Sequence, residues 1–331
     1  MSKIWVLILF TLVFHIVISS CSNDFELTEP ESEIPVVYGM LSPSDTAIYI
    51  RVERAFIDSK TSALTLAKDI SKLYFNNISV RLQQVTTGKE FTLQRVDGNS
   101  EGYKRSQGAF GDAPNYLYKI RKSDLTLIPG QQYKIKILKN DGFVLSEAMT
   151  TILNPLKNED VTSPNPSALL SFQNNADFRV RWFGDNNAVI HNVKFTFFIK
   201  EEKDGKLSDK SVVWDVVTNT EKTDITFNGR SFYEFIQGAL IDKNPGIKRY
   251  FQNASISITS GGKELKEYVT IGQANLGITS SGEIPRYTNL SNGALGIFSS
   301  ATSITRNNIG LTPITLDSLR RGQITKSLNF Q

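Results

Sequence analysis

Side chains that commonly carry out catalysis are scarce in this sequence. Its 331 residues include one cysteine, Cys21, and two histidines, His15 and His191. A Ser-His-Asp triad would have to use a histidine, and no G-x-S-x-G motif supplies a matching serine. Zinc sites need clusters of cysteine and histidine, and the P-loop and the dinucleotide-binding fingerprint are also absent. The sequence therefore predicts no catalytic residue, no metal and no cofactor, and His191 is expected to be structural.

Cys21 is the side chain with the clearest chemical role. It follows Lys3 and residues 4–18, which are nearly all apolar. This pattern is typical of a secretory signal peptide over residues 1–20, and the run is shorter than the roughly 20 apolar residues of a spanning helix. The sequence Ile18-Ser19-Ser20-Cys21 resembles the bacterial lipobox, in which small residues precede a cysteine that receives diacylglycerol. The resemblance implies cleavage before Cys21 and acylation of its sulfur; the alternative is an uncleaved apolar anchor with an incidental cysteine.

The residues after Cys21 are acidic. Residues 21–33 hold five Asp and Glu side chains and a proline, and such a segment cannot bury apolar surface, so we predict a flexible tether. Acidic residues close behind a lipidated cysteine also resemble the surface-export signal of bacteroidete lipoproteins. We therefore expect an outer-membrane protein that is anchored by lipid and exposed on the cell surface, with the periplasmic face as the alternative.

Charge and cysteine content exclude some partners. The formal net charge is +4 and no basic block is present, so nucleic acid is not an expected partner. Once Cys21 is acylated no disulfide can form, and a hydrophobic core must supply the stability that disulfides often give small secreted domains.

Residues 34–153 are predicted to form an immunoglobulin-like or fibronectin-like β-sandwich. Strands are expected at 34–41 and 47–56, a helix at 64–75, and a hairpin from strands at 78–82 and 91–93. The sequence from Leu127 through Pro129-Gly130 to Tyr133 and the alternating isoleucines after it is typical of a late sandwich strand that begins with a tyrosine corner. Residues 140–142 predict the next hairpin turn; an ordinary hairpin in another β fold is the alternative.

Residues 154–167 are polar and contain three prolines, which predicts a linker. Residues 168–331 are expected to form a β-rich domain with one or two helices. Strands are predicted at 168–172, 178–182, 193–199, 211–217 and 254–259, with a solvated hairpin tip at 200–206. A helix is predicted at 231–240, capped by Asn228 or Ser231.

One loop of the first domain contains several aromatic side chains between Gly, Ser and Lys. Its members are Tyr103, Phe110, Tyr116 and Tyr118. Aromatic rings in a long polar loop can stack on a sugar or contact a peptide, and loops on a rigid scaffold often carry function. These four residues are the predicted ligand contacts, although the same rings could instead pack into the edge of the sandwich.

The stretch just before this loop resembles the opening of a calcium-binding loop. Asp97, Asn99 and Glu101 alternate, and Gly102 is sixth in the series. Arg105 occupies the ninth place, however, and Gly108 the twelfth, where a bidentate glutamate is required. A turn-rich loop explains the same residues.

Motifs at both ends of the chain resemble one family. Val37-Tyr38-Gly39-Met40-Leu41, the motif from Asn292-Gly293 through Gly296 to Phe298, and the closing residues 316–319 and 325–330 are similar to an uncharacterised family of bacteroidete lipoproteins. The resemblance implies a lipid-anchored envelope protein and no catalytic residue. We expect a non-enzymatic binding or scaffold module for a glycan, a peptide or an envelope protein; the alternative is a polysaccharide hydrolase with paired carboxylates. The two glycines and Asn292 also suit a turn before a buried strand.

Overall fold

The computed structural model describes residues 34–55, 61–106, 108–165, 169–274 and 286–331. The predicted signal peptide, Cys21 and the acidic tether lie outside these residues. Within the described ranges, no helix combines the length and the apolar composition needed to cross a bilayer.

Alternating apolar residues in the first part of the chain form two sheets that pack face to face. The strand order is β1-β2-β6-β5 in one sheet and β4-β3-β7-β8 in the other. This is the A-B-E-D and C′-C-F-G order of immunoglobulin-like sandwiches, and it confirms the predicted fold of this part. The strands are β1 Pro35–Leu41, β2 Ala47–Arg54, β3 Ile78–Gln84, β4 Glu90–Thr92, β5 Gln94–Asp97, β6 Tyr116–Arg121, β7 Gln132–Lys139 and β8 Val144–Thr151.

The tyrosine corner is present as predicted. Tyr133, the second residue of β7, is fully buried, and its hydroxyl accepts a hydrogen bond from the backbone N–H of Ile128 at 3.3 Å. Gly130, two residues after Ile128, has a φ of +79°, which glycine adopts without steric cost. Burial raises the pKa of Tyr133, so its hydroxyl stays protonated at neutral pH.

The single helix predicted at 64–75 is wrong in one respect, because the structure has two short helices in this region. These are α1 Ala63–Lys68 and α2 Ile70–Leu73. Asp69 between them has an extended backbone, and its carboxylate accepts hydrogen bonds from the N–H and the hydroxyl of Ser71 at 2.9 and 2.7 Å. An aspartate that caps the next turn competes with helix continuation, although the apolar spacing runs across the break.

The second part of the chain also contains two packed layers. The three-stranded sheet β13-β10-β9 and two helices, Arg230–Ala239 and Pro313–Arg321, cover one face of β12-β11-β14-β15. Phe172 lies in the core between them, stacked on Phe232 with ring centroids 4.4 Å apart. The elements are β9 Val161–Ser163, β10 Asp177–Trp182, β11 Ile190–Lys203, β12 Lys206–Thr220, β13 Asp224–Asn228, β14 Lys248–Gly261, β15 Leu295–Ile309, α3 Arg230–Ala239, α4 Lys263–Ala274 and α5 Pro313–Arg321, with 3-10 turns at Asn158–Asp160 and Lys326–Leu328.

Several predictions for this part are confirmed. The strands predicted at 193–199 and 211–217 lie within the hairpin of β11 and β12, which turns at Asp204 and Gly205, both with positive φ, as two-residue hairpin turns require. The predicted helix at 231–240 is α3. The predicted cap is wrong, because the N-cap is Gly229 and makes no side-chain cap bond; Asn228, one residue earlier, accepts from the Arg230 N–H at 3.0 Å.

Two predictions for this part are wrong. Residues 168–172 were expected to form a strand, but Leu170 makes only an isolated bridge to Leu311, and the Phe172 N–H donates to the hydroxyl of Thr315 at 2.9 Å. The apolar run there reflects burial rather than sheet pairing. The described part also holds three helices instead of one or two. The start of α5 was visible in the sequence, since Thr312 is its N-cap and Pro313 its first residue.

Strand β15 joins the two parts. Its residues Leu295–Ser300 pair in parallel with Val36–Leu41 of β1, and Ala301–Ile309 pair antiparallel with β14. The Ser300 hydroxyl donates to the Leu41 carbonyl at 3.0 Å and accepts from the Leu153 N–H at 3.1 Å. A single eight-stranded sheet, β12-β11-β14-β15-β1-β2-β6-β5, therefore runs through both parts.

The hydrophobic core is nevertheless divided in two. One cluster contains buried residues between positions 37 and 152, and it is completed by Leu290, Ala294 and Phe298. The other contains residues between positions 156 and 330. The predicted linker at 154–167 lies where the cores separate, whereas residues 34–331 form one compact unit. The division into two domains therefore stays a prediction.

Candidate binding surface

The four aromatic residues of the predicted contact loop lie in different environments. Tyr103 and Phe110 are 53% and 43% exposed, whereas Tyr118 is 5% exposed and lies in the first core. Tyr116 is half-buried; the Arg95 guanidinium lies 3.6 Å from its ring centroid, and the Tyr74 ring meets it edge-on at 5.1 Å. Tyr103 and Phe110 are thus available to a ligand, while Tyr116 and Tyr118 pack.

Strand β2 supplies the platform for the exposed rings. Its alternation buries Ile50 and Val52 and directs Tyr49, Arg51 and Glu53 to the opposite face. The Tyr103 ring rests against Tyr49, with centroids 4.5 Å apart and planes inclined by 49°.

Backbone hydrogen bonds hold the loop on this platform. The Tyr103 carbonyl accepts from the Asn115 side chain at 2.7 Å, and the Tyr103 N–H donates to the Gly98 carbonyl at 2.8 Å. One oxygen of Asp97 accepts from the N–H groups of Asn99 and Asn115, at 3.0 and 3.1 Å. The residues that resemble a calcium loop therefore shape a turn, and the described ranges contain no group of three His, Cys, Asp or Glu residues placed to hold a metal ion.

Two arginines share one carboxylate beneath the loop. Arg51 donates to Glu53 at 2.9 Å and to the Asn115 side-chain oxygen at 2.8 Å, and Arg105 forms an ion pair with the same oxygen of Glu53. The Arg105 side chain is 10% exposed, and its guanidinium carbon lies 4.9 Å from the centroid of the Phe110 ring. One of its nitrogens, Nη1, is buried without a hydrogen-bond partner among the described residues. Two cations on one anion leave this cluster with a net positive charge.

A second ion pair borders the cluster. Glu101 accepts a hydrogen bond from the Tyr49 hydroxyl at 2.9 Å and forms an ion pair with Lys119. The bond from Lys119 lowers the pKa of Glu101 and raises the pKa of Lys119. Burial and the bond to Glu101 raise the pKa of Tyr49. At neutral pH Glu101 and Lys119 are both charged, and Tyr49 is a neutral hydrogen-bond donor. The charges of these three side chains therefore stay the same across the physiological pH range.

Tyr38 extends this area. It lies on β1, opposite Arg51 of β2, and is 43% exposed. We call the area the loop surface and define it by Tyr38, Tyr49, Arg51, Tyr103, Arg105 and Phe110. The alternation of apolar and polar residues in β2 places Arg51 and Glu53 on its outer face, and this could be seen in the sequence. Nothing in the sequence shows that Arg105 folds back onto Glu53.

The structure gives no support to the hydrolase alternative. Three grooves on the described surface contain at most one carboxylate each, Asp209 in one, Asp124 in another and none in the third. His191 is buried. Its Nδ1 lies 2.7 Å from the Ser260 hydroxyl and accepts from the Trp182 indole at 3.4 Å. His191 Nε2 is buried without a hydrogen-bond partner among the described residues, so this histidine has the environment of a structural residue.

The fold and the loop surface define a mainly β protein with an immunoglobulin-like sandwich and a non-polar, cationic patch on one sheet. A scan against family models and a search of curated proteins find no match. Among solved structures, the FN1–FN3 domains of chicken CNTN1 align over 83% of this chain and 65% of that one, at 10% identity and a TM-score of 0.18. A segment of two fibronectin type III domains from chicken tenascin aligns over 69% and 91%, at 12% identity and a TM-score of 0.19. TM-scores this low support no transfer of topology or function to this chain. The assignment of the immunoglobulin-like sandwich therefore depends on the strand order alone.

Proposed function

We propose that this chain is a lipid-anchored envelope protein that binds a partner protein through the loop surface and catalyses no reaction. The observation that carries the proposal is the exposure of two aromatic rings of one loop, Tyr103 and Phe110, with the Arg105 guanidinium carbon 4.9 Å from the centroid of the Phe110 ring. The lipid anchor on Cys21 and the likeness to bacteroidete lipoproteins are sequence predictions that agree with this role.

The composition of the loop surface favours a protein over a sugar as its ligand. Tyrosine and arginine are enriched among the residues that dominate binding energy in protein interfaces. The rings of Tyr103 and Phe110 are large contact areas with few rotatable bonds, and Arg105 is already held by Glu53, so little side-chain entropy is lost on binding. The net positive charge beneath the loop complements a partner that presents an acidic or carbonyl group.

Site-specific photo-crosslinking in intact cells tests the proposal. A benzophenone amino acid at position 110 should yield a discrete protein adduct, and Arg105→Gln in the same chain should reduce the yield of that adduct several-fold. The matched control is the same probe at Phe143, which is 61% exposed in the turn between β7 and β8. Equal adducts from positions 110 and 143, or no adduct from position 110, would refute the proposal.

A further inference from the structure

A groove separate from the loop surface lies on the outer face of the sheet in the second part of the chain. Strands β11, β12, β14 and β15 form a groove of about 600 Å³, a size typical of small-ligand sites. Phe198 on β11 lies in it and is 39% exposed. The uncharged polar residues of its lining are Ser211, Gln252, Asn253, Asn307 and Asn308, and we call this site the amide groove.

Two irregularities in strand pairing bring these amides together. Phe198 pairs with Asn253 while the next residue, Ile199, pairs with Phe251, so Gln252 is an extra residue in β14. Between β14 and β15, Ala254 pairs with Ile309 and Ile256 with Arg306, so β15 also carries an extra residue there. Bulges of this kind redirect side chains and are over-represented next to functional sites.

The backbone at the groove is unusual for a regular strand. Asn308 has a φ of +58°, in the left-handed region that a few per cent of non-glycine residues adopt. Three neighbouring amides, those of Asn253, Asn307 and Asn308, form no side-chain hydrogen bond within the described ranges. The amide groove therefore presents donors and acceptors that are not committed to the fold.

Both lysines of the groove form ion pairs. Lys200 lies 3.8 Å from Asp209, and Lys210 lies 3.5 Å from Glu201. What remains for a ligand is neutral: several amides, the Ser211 hydroxyl and the face of the Phe198 ring. Each amide both donates and accepts, as each sugar hydroxyl does, and an aromatic face suits the apolar C–H face of a pyranose ring.

We propose that the amide groove binds a neutral glycan, with Phe198 stacked on one sugar ring and the amides of Asn253, Asn307 and Asn308 bonded to its hydroxyls. This site is separate from the loop surface, and its ligand class is independent of the protein partner proposed above. An acidic glycan would meet no unpaired cation in the described lining, whereas a neutral one matches the exposed chemistry.

The test is a binding titration of the full-length protein in detergent with short neutral oligosaccharides (maltoheptaose, cellohexaose and mannohexaose) and with an acidic one, hexagalacturonate. At least one neutral probe should bind. Phe198→Ala and Asn307→Ala should each weaken that binding about tenfold or more, while Phe198→Tyr, which keeps the ring, should bind as the wild type does. Because these side chains are exposed, the variants are expected to fold.

Phe110→Ala serves as the matched control, since it removes an exposed ring of the loop surface and should leave the titration unchanged. The inference is overturned if none of the neutral probes binds at millimolar concentration, if Phe198→Ala binds as tightly as the wild type, or if hexagalacturonate binds equally well. Failure here would leave the crosslinking result at position 110 unaffected, so the two proposals are tested separately.

Discussion

Gly296 of β15 lies against the backbone of Val37 in β1, so closely that a Cβ atom at position 296 would overlap the Val37 carbonyl oxygen. Its φ is +103°, which side chains rarely adopt. This contact lies within the parallel pairing of β1 with β15, where the first and last thirds of the chain meet. It also gives a structural reason for the second glycine of the Asn-Gly-x-x-Gly motif.

Gly296→Ala should therefore destabilise the protein strongly, because both the close approach and the backbone angle exclude a side chain. We expect the free energy of unfolding to fall by about 4 kcal/mol or more, measured by urea denaturation. Gly293→Ala is the matched control. Gly293 also has a positive φ, +72°, but a Cβ there would meet nothing within 4 Å, so about 1 kcal/mol should be lost. Equal losses in the two variants would contradict the role given to the Val37 contact.

Arg249 should be the most sensitive charged residue of the second part. It is fully buried and donates to Glu201 at 2.7 Å and to the carbonyls of Leu328 and Asp242 at 2.8 and 2.6 Å. Arg249→Met removes the donor to both carbonyls and leaves Glu201 only its ion pair with Lys210, so it should lower the free energy of unfolding by about 3–5 kcal/mol. Arg249→Lys should rescue little, because one ammonium group cannot reproduce the guanidinium fork.

Limited proteolysis gives a second readout for this variant, since Arg249 holds the segment that contains Leu328. Cleavage near the C-terminus should be faster in Arg249→Met than in the wild type. Lys248→Met, at the neighbouring and half-exposed position, is the control and should change neither stability nor cleavage. A wild-type cleavage pattern in Arg249→Met would show that these hydrogen bonds do not fix the C-terminal segment.

The burial of His191 predicts that the free energy of unfolding falls in mild acid. Burial lowers its pKa below the usual 6.5, so the unfolded chain binds the proton more readily than the folded one. The stability associated with neutral His191 is fully present above about pH 6.5, the pKa of histidine in the unfolded chain. It is lost as the pH falls from about 6.5 through the lower pKa that His191 has in the folded protein. Urea denaturation at pH 7.5 and pH 5.5 should show this fall in the wild type and a smaller one in His191→Asn. An equal fall in the two proteins would assign the acid sensitivity to other groups.

Acylation of Cys21 can be tested directly. Metabolic labelling with an alkyne fatty acid should mark the wild-type protein, since its thiol is the predicted acceptor, and should not mark Cys21→Ala. Ser22→Ala, which alters the next residue and keeps the thiol, should be labelled like the wild type. Equal labelling of Cys21→Ala, or no labelling of the wild type, would remove the lipid anchor from the proposed function.

Local patterns predicted those features that depend on neighbours in sequence. Alternation located most strands, the turn residues at 140–142 located a hairpin, and the residues before Tyr133 located the tyrosine corner. The break at Asp69 was missed because an aspartate can either continue a helix or cap the next turn, and the apolar spacing is the same in both cases.

Features that depend on distant parts of the chain were not predictable in this way. The parallel pairing of Val37 with Gly296 has no local signature, and the sequence around each strand is compatible with other partners. The same holds for the loop surface, where Arg105 reaches Glu53 on another strand, and for the amide groove, whose two bulges are defined only by pairing between β11, β14 and β15.

Strand β1 has a mechanical consequence for a chain held at its N-terminal end. It begins at Pro35, directly after the predicted tether, and it is hydrogen-bonded along its length to β2 on one side and β15 on the other. Tension that enters at Pro35 along the strand axis must shear both ladders at once instead of unzipping one bond at a time. The chain thus resists pulling at the point where the predicted membrane attachment would apply force. Part of that force passes to β15, a strand from the final third of the sequence.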